Sequence, residues 1–413
     1  MIDPSQDLDA VLDILIKDEK IFKLAKNIQE EADSIIDASG LIVSPGFIDM
    51  HTHLREPGGE ISETLETGLK TALVGGFTTV SPMPNTIPAC DHPSKVQYLY
   101  HRARQLNLAN ILPVAAITQD RASESLSPLK ELKEAGCLAI SDDGCAVSND
   151  VLLKAAMQQA QALDLLFIEH CEDKALAQHG VVYQGYWSTR LGLKGISSLS
   201  ESKIVERDLK IAAQIGVRLH IAHISTQESV EHVRQAKAEG IKVTSEVTPH
   251  HFSLTDEAIR DFDTSTKVNP PLRSIDDLNA LKEGLKDGTI DAIATDHAPH
   301  AELYKQRSFN QAAFGMIGLE TALPLSMKLI EEGVLNWSDL IKKLSLNPAR
   351  ILKYDRGTLK TNSVADLTII DPNKTWSYSK ENICSKSSNS PFIDQTFQGK
   401  ITHTIVSGKI FQL

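Results

Sequence analysis

Cysteine is scarce and scattered in this chain: five thiols, Cys90, Cys137, Cys145, Cys171 and Cys384, in 413 residues. An odd, dispersed set argues against a disulfide framework and favours a reducing compartment. No 18-residue apolar run, signal peptide or transit peptide is present, so a cytoplasmic location is expected. Long Lys/Arg runs are missing as well, and with a net charge of −12 a nucleic-acid surface is disfavoured, because phosphate binding needs clustered cations. A phosphate-binding glycine turn is also lacking, which disfavours a doubly wound nucleotide-binding sheet. What remains is a small-molecule enzyme, with 41% hydrophobic residues for its core and too much length for one small domain.

Between residues 42 and 300 a pattern of apolar strand, turn residues and amphipathic helix repeats eight times. The strand candidates are 43–50, 77–83, 111–117, 137–141, 165–169, 218–224, 241–247 and 290–295. Helical i, i+3, i+4 spacing marks 60–74, 94–107, 150–163, 200–215, 226–239 and 275–287. Eight alternations indicate an α/β fold of the (β/α)8 TIM-like barrel type. Both chain ends instead carry short alternating runs, expected to be antiparallel strands that meet in one small β-sandwich. The expected division is 1–44 for the N-terminal part of that sandwich, 45–354 for the catalytic barrel and 355–413 for the C-terminal part. Segment 372–398 is polar and poorly periodic, so mostly irregular loop is expected there.

Four histidines and two aspartates, His51, His53, Asp143, His170, His223 and Asp296, end five of these strands. That is the face on which barrel enzymes build their sites. Six N/O donors suit two zinc-like ions, and paired zinc points to hydrolysis of an amide or ester at neutral pH. In Phe47-Ile-Asp-Met-His-Thr-His-Leu-Arg55, alternation puts Asp49, His51 and His53 on one strand face, so two imidazoles can chelate one ion. A single histidine is more often a hydrogen-bonded core or surface residue; His-x-His closing an apolar strand departs from that pattern. Arg55 lies two residues further, where a guanidinium can grip a carboxylate with two prongs; the bland reading is a surface salt bridge with Glu56. Asp142 and Asp143 face opposite ways on an extended chain, so only one enters the site. Cys171 reads as a packed, inert thiol, His250 and His251 as loop or supporting groups, and Asp49 as the orienter of a ligand histidine.

Eight motifs in order, Pro45-Gly-Phe-Ile-Asp-Met-His-Thr-His-Leu-Arg-Glu-Pro-Gly58, Met83-Pro-Asn-Thr86, Ser141-Asp-Asp-Gly144, Glu169-His-Cys-Glu-Asp173, Ala222-His-Ile-Ser225, Lys267-Val-Asn-Pro-Pro-Leu-Arg273, Thr295-Asp-His-Ala-Pro-His300 and Phe314-Gly-Met-Ile-Gly-Leu-Glu320, cover nearly the whole chain. Together they resemble the metal-dependent amidohydrolase superfamily and, within it, the longer bacterial-type (class I) dihydroorotases. The resemblance implies one or two Zn2+ ions: His51, His53 and Asp296 on the first, His170 and His223 on the second, and Asp143 bridging. It implies Asp296 as the catalytic base, with Arg55, Asn85, Asn269, His300 and the backbone near Phe314 and Gly315 around the substrate. The implied reaction is reversible cyclisation of N-carbamoyl-L-aspartate to L-dihydroorotate in pyrimidine synthesis, by a homodimer that associates with aspartate transcarbamoylase and binds neither nucleic acid nor membrane.

Three alternatives stand beside it: a hydantoinase- or allantoinase-like cyclic amidase, an inactive scaffold for aspartate transcarbamoylase, and a non-enzymatic metal-binding module. Related hydantoinases bridge their metals with a carboxylated lysine, and the strand ending at residue 141 offers none. Ile87 departs from the polar residue common in relatives. So does the start at Met1-Ile-Asp-Pro-Ser-Gln6, which implies either a sandwich one strand short or a misassigned start.

Overall fold

The computed structural model describes residues 1–413. Eight short strands form its centre: β1 Phe47–Thr52, β2 Phe77–Pro82, β3 Asn110–Ile111, β4 Ala139–Ile140, β5 Leu166–Glu169, β6 Leu219–Ile221, β7 Val243–Val247 and β8 Ala292–Ile293. β1 to β3 form one parallel ladder and β4 to β8 another. Parallel bridges between Ala115 and Ile140 and between Thr52 and His297 join the two into a closed ring. The connections after each strand supply α1 Leu65–Val74, α2 Pro93–Leu106, α3 Leu129–Glu134, α4 Asp150–Leu163, α5 Leu199–Ile215, α6 Gln227–Ala238, α7 Ile275–Asp287 and α8 Ala322–Glu331. This is the (β/α)8 barrel expected from the eightfold alternation.

Local chemistry sets the helix boundaries. The Thr64 hydroxyl accepts from Thr67 N at the start of α1, and Thr67 Oγ1 accepts from Thr64 N in return. Ser274 and Asp277 do the same for α7, which stops at Gly288 with φ +83°. Such caps satisfy helix-end amides and contribute about 1 kcal/mol each.

Alternate strand residues divide between two cores. Phe47, Val80, Phe167, Leu219, Val247 and Ile293 pack in a large core with the surrounding helices. Ile48, Met50, Leu166, Ile168, Ala292 and Ala294 share a smaller one with Ala349, Ile351 and Leu352 of the helix Asn347–Leu352. That helix is a plug: Ile351 O accepts from Arg218, Asn347 donates to Asp291 O, and nearby Ser345 donates to Gly46 O. Residues 46, 218 and 291 all precede strands, so the plug closes the end opposite the strand C-termini.

Both chain ends meet in antiparallel sheets. Strand Ile42–Pro45 pairs with Leu367–Tyr378, which pairs with Gln395–Val406 and then Lys409–Gln412. The hairpin Asp13–Lys17/Lys20–Ala25 packs Ile21 against Leu359, Leu367, Ile369 and Ile405. Two expectations change. The run 43–50 is two strands that part at Gly46, where a side chain would collide with Thr78. Within 372–398, only the stretch between Tyr378 and Gln395 is irregular, apart from a turn of 3-10 helix at Lys380–Asn382. Strand pairing extends there because Trp376, Tyr378 and Phe397 stack with ring centroids 5.8–6.3 Å apart. That long-range packing leaves little trace in local alternation. No helix is long and apolar enough to cross a membrane.

Candidate active site

The C-terminal ends of five barrel strands bring His51, His53, Asp143, His170, His223 and Asp296 together, each no more than 6% exposed. The strict alternation expected from Asp49 to His53 is interrupted by a register shift between Asp49 and Thr52, yet the two histidine rings still converge, 5.4 Å apart. His51 Nε2 lies 3.2 Å from Asp143 Oδ1, and His53 Nε2 lies 2.9 Å from Asp296 Oδ1. His170 Nδ1 and His223 Nε2 face each other at 2.9 Å and stand 3.7 and 3.8 Å from Asp143 Oδ1. The donors therefore fall into two triads, His51-His53-Asp143 and Asp143-His170-His223, with Asp143 common to both.

This donor set fits divalent metal. His51 donates from Nδ1 to Glu246 Oε1 at 2.8 Å, which leaves Nε2 with its lone pair toward the centre and no hydrogen-bond partner of its own. Burying such a nitrogen unpaired is costly unless a cation takes the lone pair. Burial works to raise the Asp143 carboxyl, but charge and hydrogen bonds from His51, His170 and His223 hold it well below the usual carboxylate range. Asp296 is likewise held low, against burial, by His53, His51 and His223. Two buried anions among four imidazoles are a donor set that suits divalent cations.

The residues behind the ring were only partly foreseen. Asp142 turns away and accepts from Ile117 N, Thr118 N and Thr118 Oγ1. Asp49 does not touch an imidazole; it accepts from the main-chain N–H groups of His51 and Thr295 and from the Thr295 hydroxyl, so it fixes the backbones of β1 and β8. The orienting carboxylate is Glu246 of β7, with His220 Nε2 3.2 Å from its other oxygen. Burial raises its pKa, but His220 and His51 bring it down to about 2. A charged residue inside the apolar run Val243-Thr-Ser-Glu-Val247 was the available signal. Cys171 is buried, and burial pushes its thiol well up. His251 bonds Thr248 and the Pro270 carbonyl, and His250 is buried beside it. Arg55, His223 and Asp296 all have positive φ, +60°, +28° and +47°. Non-glycine residues in that region carry backbone strain of about 1–3 kcal/mol, characteristic of functional turns.

One side of the ring carries the residues expected to face a substrate, here called the pocket face. Arg55 is half-buried; its Nε donates to Pro299 O at 3.1 Å and its guanidinium lies 3.3 Å from His300 Nε2. Burial lowers Arg55 only to about 10, so it stays cationic at neutral pH. Glu56 is engaged elsewhere, with Tyr98 Oη and Leu65 N, so the simple Arg55–Glu56 pair does not form. His300 is kept neutral, with a pKa near 3, by burial and then by the charges of Arg55 and Lys305; its Nε2 donates to Phe314 O at 2.7 Å. Gly315, at φ +129°, has no room for a side chain beside Ala298. Asn85 bridges the metal donors directly, 2.8 Å from His53 Nδ1 and donating to Asp143 Oδ2 at 3.0 Å. Asn269 sits apart from these, donating to Glu172. Asn389, which the sequence did not single out, reaches this face from the C-terminal segment.

With this geometry in hand, comparison with known proteins is specific. A family model described as dihydro-orotase-like matches residues 40–229. A dihydroorotase of Geobacter metallireducens is 50% identical over 99% of this chain and 97% of its own length. One from Geotalea daltonii is 49% identical with the same coverage. Among solved structures, an L-hydantoinase (dihydropyrimidinase) from Arthrobacter aurescens superimposes with a TM-score of 0.87 at 25% identity, over 97% of this chain and 92% of that one.

Proposed function

The chain belongs to the dihydroorotase family, and from that premise we propose that it catalyses the reversible cyclisation of N-carbamoyl-L-aspartate to L-dihydroorotate with loss of water, a step of pyrimidine synthesis. The observation that carries the substrate choice is Arg55: a cation at the rim of the His/Asp ring that donates to the Pro299 carbonyl and stands beside the neutral His300, with no carboxylate paired to it. A substrate carboxylate would supply the missing anion in a charge-assisted pair. Neutral rings such as hydantoin or dihydrouracil would not.

His51, His53 and Asp296 would hold one zinc ion and His170 and His223 a second, with Asp143 available to both. Bound zinc supplies Lewis acidity toward the ring carbonyl and makes water acidic enough to attack near pH 7. In ring opening, Asp296 takes the proton of the attacking water and passes it to the leaving ring nitrogen; in cyclisation it runs the transfer backwards. Asn85 holds His53 and Asp143 in register. Arg55 and His300 grip the carboxylate, while Asn269 and the Phe314–Gly315 backbone line the ring.

The same proposal divides the chain into a barrel of residues 45–354 and a sandwich from 1–44 and 355–413, supported by the pairing of Ile42–Pro45 with Leu367–Ile370. Five free cysteines support a cytoplasmic setting. Homodimer formation and association with aspartate transcarbamoylase rest on the family resemblance. Metal analysis of purified protein, paired with turnover of dihydroorotate and of dihydrouracil, tests the reading. Zinc at about one to two ions per chain and a strong preference for dihydroorotate are expected; equal rates on both rings would favour a hydantoinase-like enzyme instead.

A further inference from the structure

Asn389 lies in the irregular stretch between the two long C-terminal strands and is 5% exposed. Its Oδ1 accepts from His300 N at 3.0 Å, and its Nδ2 donates to Ala298 O and to Gly315 O, both at 3.0 Å. Its own carbonyl accepts from Ile317 N at 3.0 Å. One side-chain amide thus spans the turn after β8, which carries His300, and the turn at Gly315. A short, planar amide offering one acceptor and two donors suits this task, and a hydroxyl or carboxylate does not.

The stretch around Asn389 is itself pinned to the barrel mouth. Ser385 Oγ donates to Glu63 Oε2 at 2.5 Å, and Ser387 Oγ donates to Ser62 O at 2.6 Å. Glu320 accepts from the main-chain N–H groups of Cys384 and Ser385. The Gly315 carbonyl takes a second donor, Lys305 Nζ at 2.9 Å. The Gly315 peptide is therefore fixed from two sides, and the histidine beside it is held by its own main-chain N–H.

We propose that Asn389 is a positioning residue for the substrate pocket: by tying the His300 turn to the Gly315 turn, it sets the distance between the carboxylate-gripping side and the ring-lining side. The inference rests on the dihydroorotase reading given above. It makes one side chain of the C-terminal segment a working part of substrate binding, although Asn389 hydrogen-bonds to none of the six metal donors.

The test uses the full chain loaded with zinc, as wild type, Asn389→Ala, Asn389→Asp and Ser387→Ala. Steady-state kinetics on dihydroorotate, metal content and amide hydrogen exchange at His300 are measured for each. Asn389→Ala removes all three side-chain hydrogen bonds and should raise KM about tenfold or more, change kcat less than KM, keep its metal, and speed exchange of the His300 amide. Asn389→Asp keeps the acceptor for His300 N but loses the donors to Ala298 O and Gly315 O, so its His300 amide should stay protected while KM rises. Ser387→Ala cuts the neighbouring anchor and leaves the amide bridge intact; its KM should stay close to wild type. An unchanged KM in Asn389→Ala, or an equal rise in Ser387→Ala, would overturn the proposal. If Asn389→Ala does not fold, Asn389→Asp decides by the same two readouts. A wild type without dihydroorotate turnover sinks the functional reading, and this inference with it; an active wild type with unaffected Asn389 variants sinks the inference alone.

Discussion

The ring of metal donors and the pocket face beside it are neighbours built by different rules. His51 is the penultimate residue of β1 and each of the other five donors follows within three residues the end of a barrel strand, and the residues that steady them, Asp49 and Glu246, sit on barrel strands too. The pocket face is assembled from Arg55, His300, the Gly315 turn and Asn389, four stretches joined by hydrogen bonds between side chains and main chain. The chemistry is therefore mounted on rigid elements, and the selectivity on loops that hold one another. Damage to the first region should cost turnover or metal; damage to the second should cost substrate preference and leave the metal in place.

The most severe break falls on Asp296. Asp296→Asn keeps the size of the side chain and loses the proton acceptor, so turnover should fall by roughly 10²–10⁴-fold, the range for general-base removal. Substrate binding should survive. Near-normal turnover in a fully metal-loaded variant would move the base elsewhere.

The same division explains what the sequence revealed. Ligand residues at strand ends have a local signature: an apolar run, then His-x-His or a lone His or Asp, then a helix. All six could be marked in this way, as could the eight strands and most of the helices. Asp142 and Asp143 could be separated only by resemblance, because alternation says that they differ without saying which points inward. Glu246 escaped notice because its role depends on the ring position of His51, 195 residues away in sequence. Asn389 was hidden for the same reason, 89 residues from the backbone N–H that it holds, in a polar segment with no periodicity of its own. Contacts of that length are set by the closed fold rather than by neighbouring residues.

Arg55 tests the pocket side of the comparison. Arg55→Lys replaces a planar fork with a point charge, and the loss of one charge-assisted pair should cost about 2–3 kcal/mol in kcat/KM for dihydroorotate. Metal content should not move, since Arg55 is no ligand, and the preference over dihydrouracil should largely vanish. Loss of metal from this variant would show that the two regions are not separable.

Glu246 tests the other side more gently. Glu246→Gln retains an oxygen to accept from His51 Nδ1 but removes the charge that holds the ring in that tautomer. Removal of such an orienting partner costs about 10–100-fold in metal affinity, and this conservative change belongs at the lower end. A chelator competition measures it. Substrate preference should be unaffected once metal is saturating. Unaltered metal affinity would mean that Glu246 serves His220 alone.

The smallest effect, and the finest distinction, separates two adjacent aspartates. Asp142 and Asp143 share a turn after β4, yet Asp142 caps the main chain at Ile117 and Thr118 while Asp143 stands among the histidines. Asp142→Ala leaves two buried N–H groups and a hydroxyl without an acceptor, and unsatisfied buried groups cost about 1–3 kcal/mol. A lower Tm is therefore expected, with metal content and substrate preference both unchanged. Asp143→Ala should do the reverse in kind: it removes the one carboxylate common to both triads, so metal is lost first. If the two variants exchanged these phenotypes, with metal lost from Asp142→Ala and retained in Asp143→Ala, the shared carboxylate would have been assigned to the wrong residue.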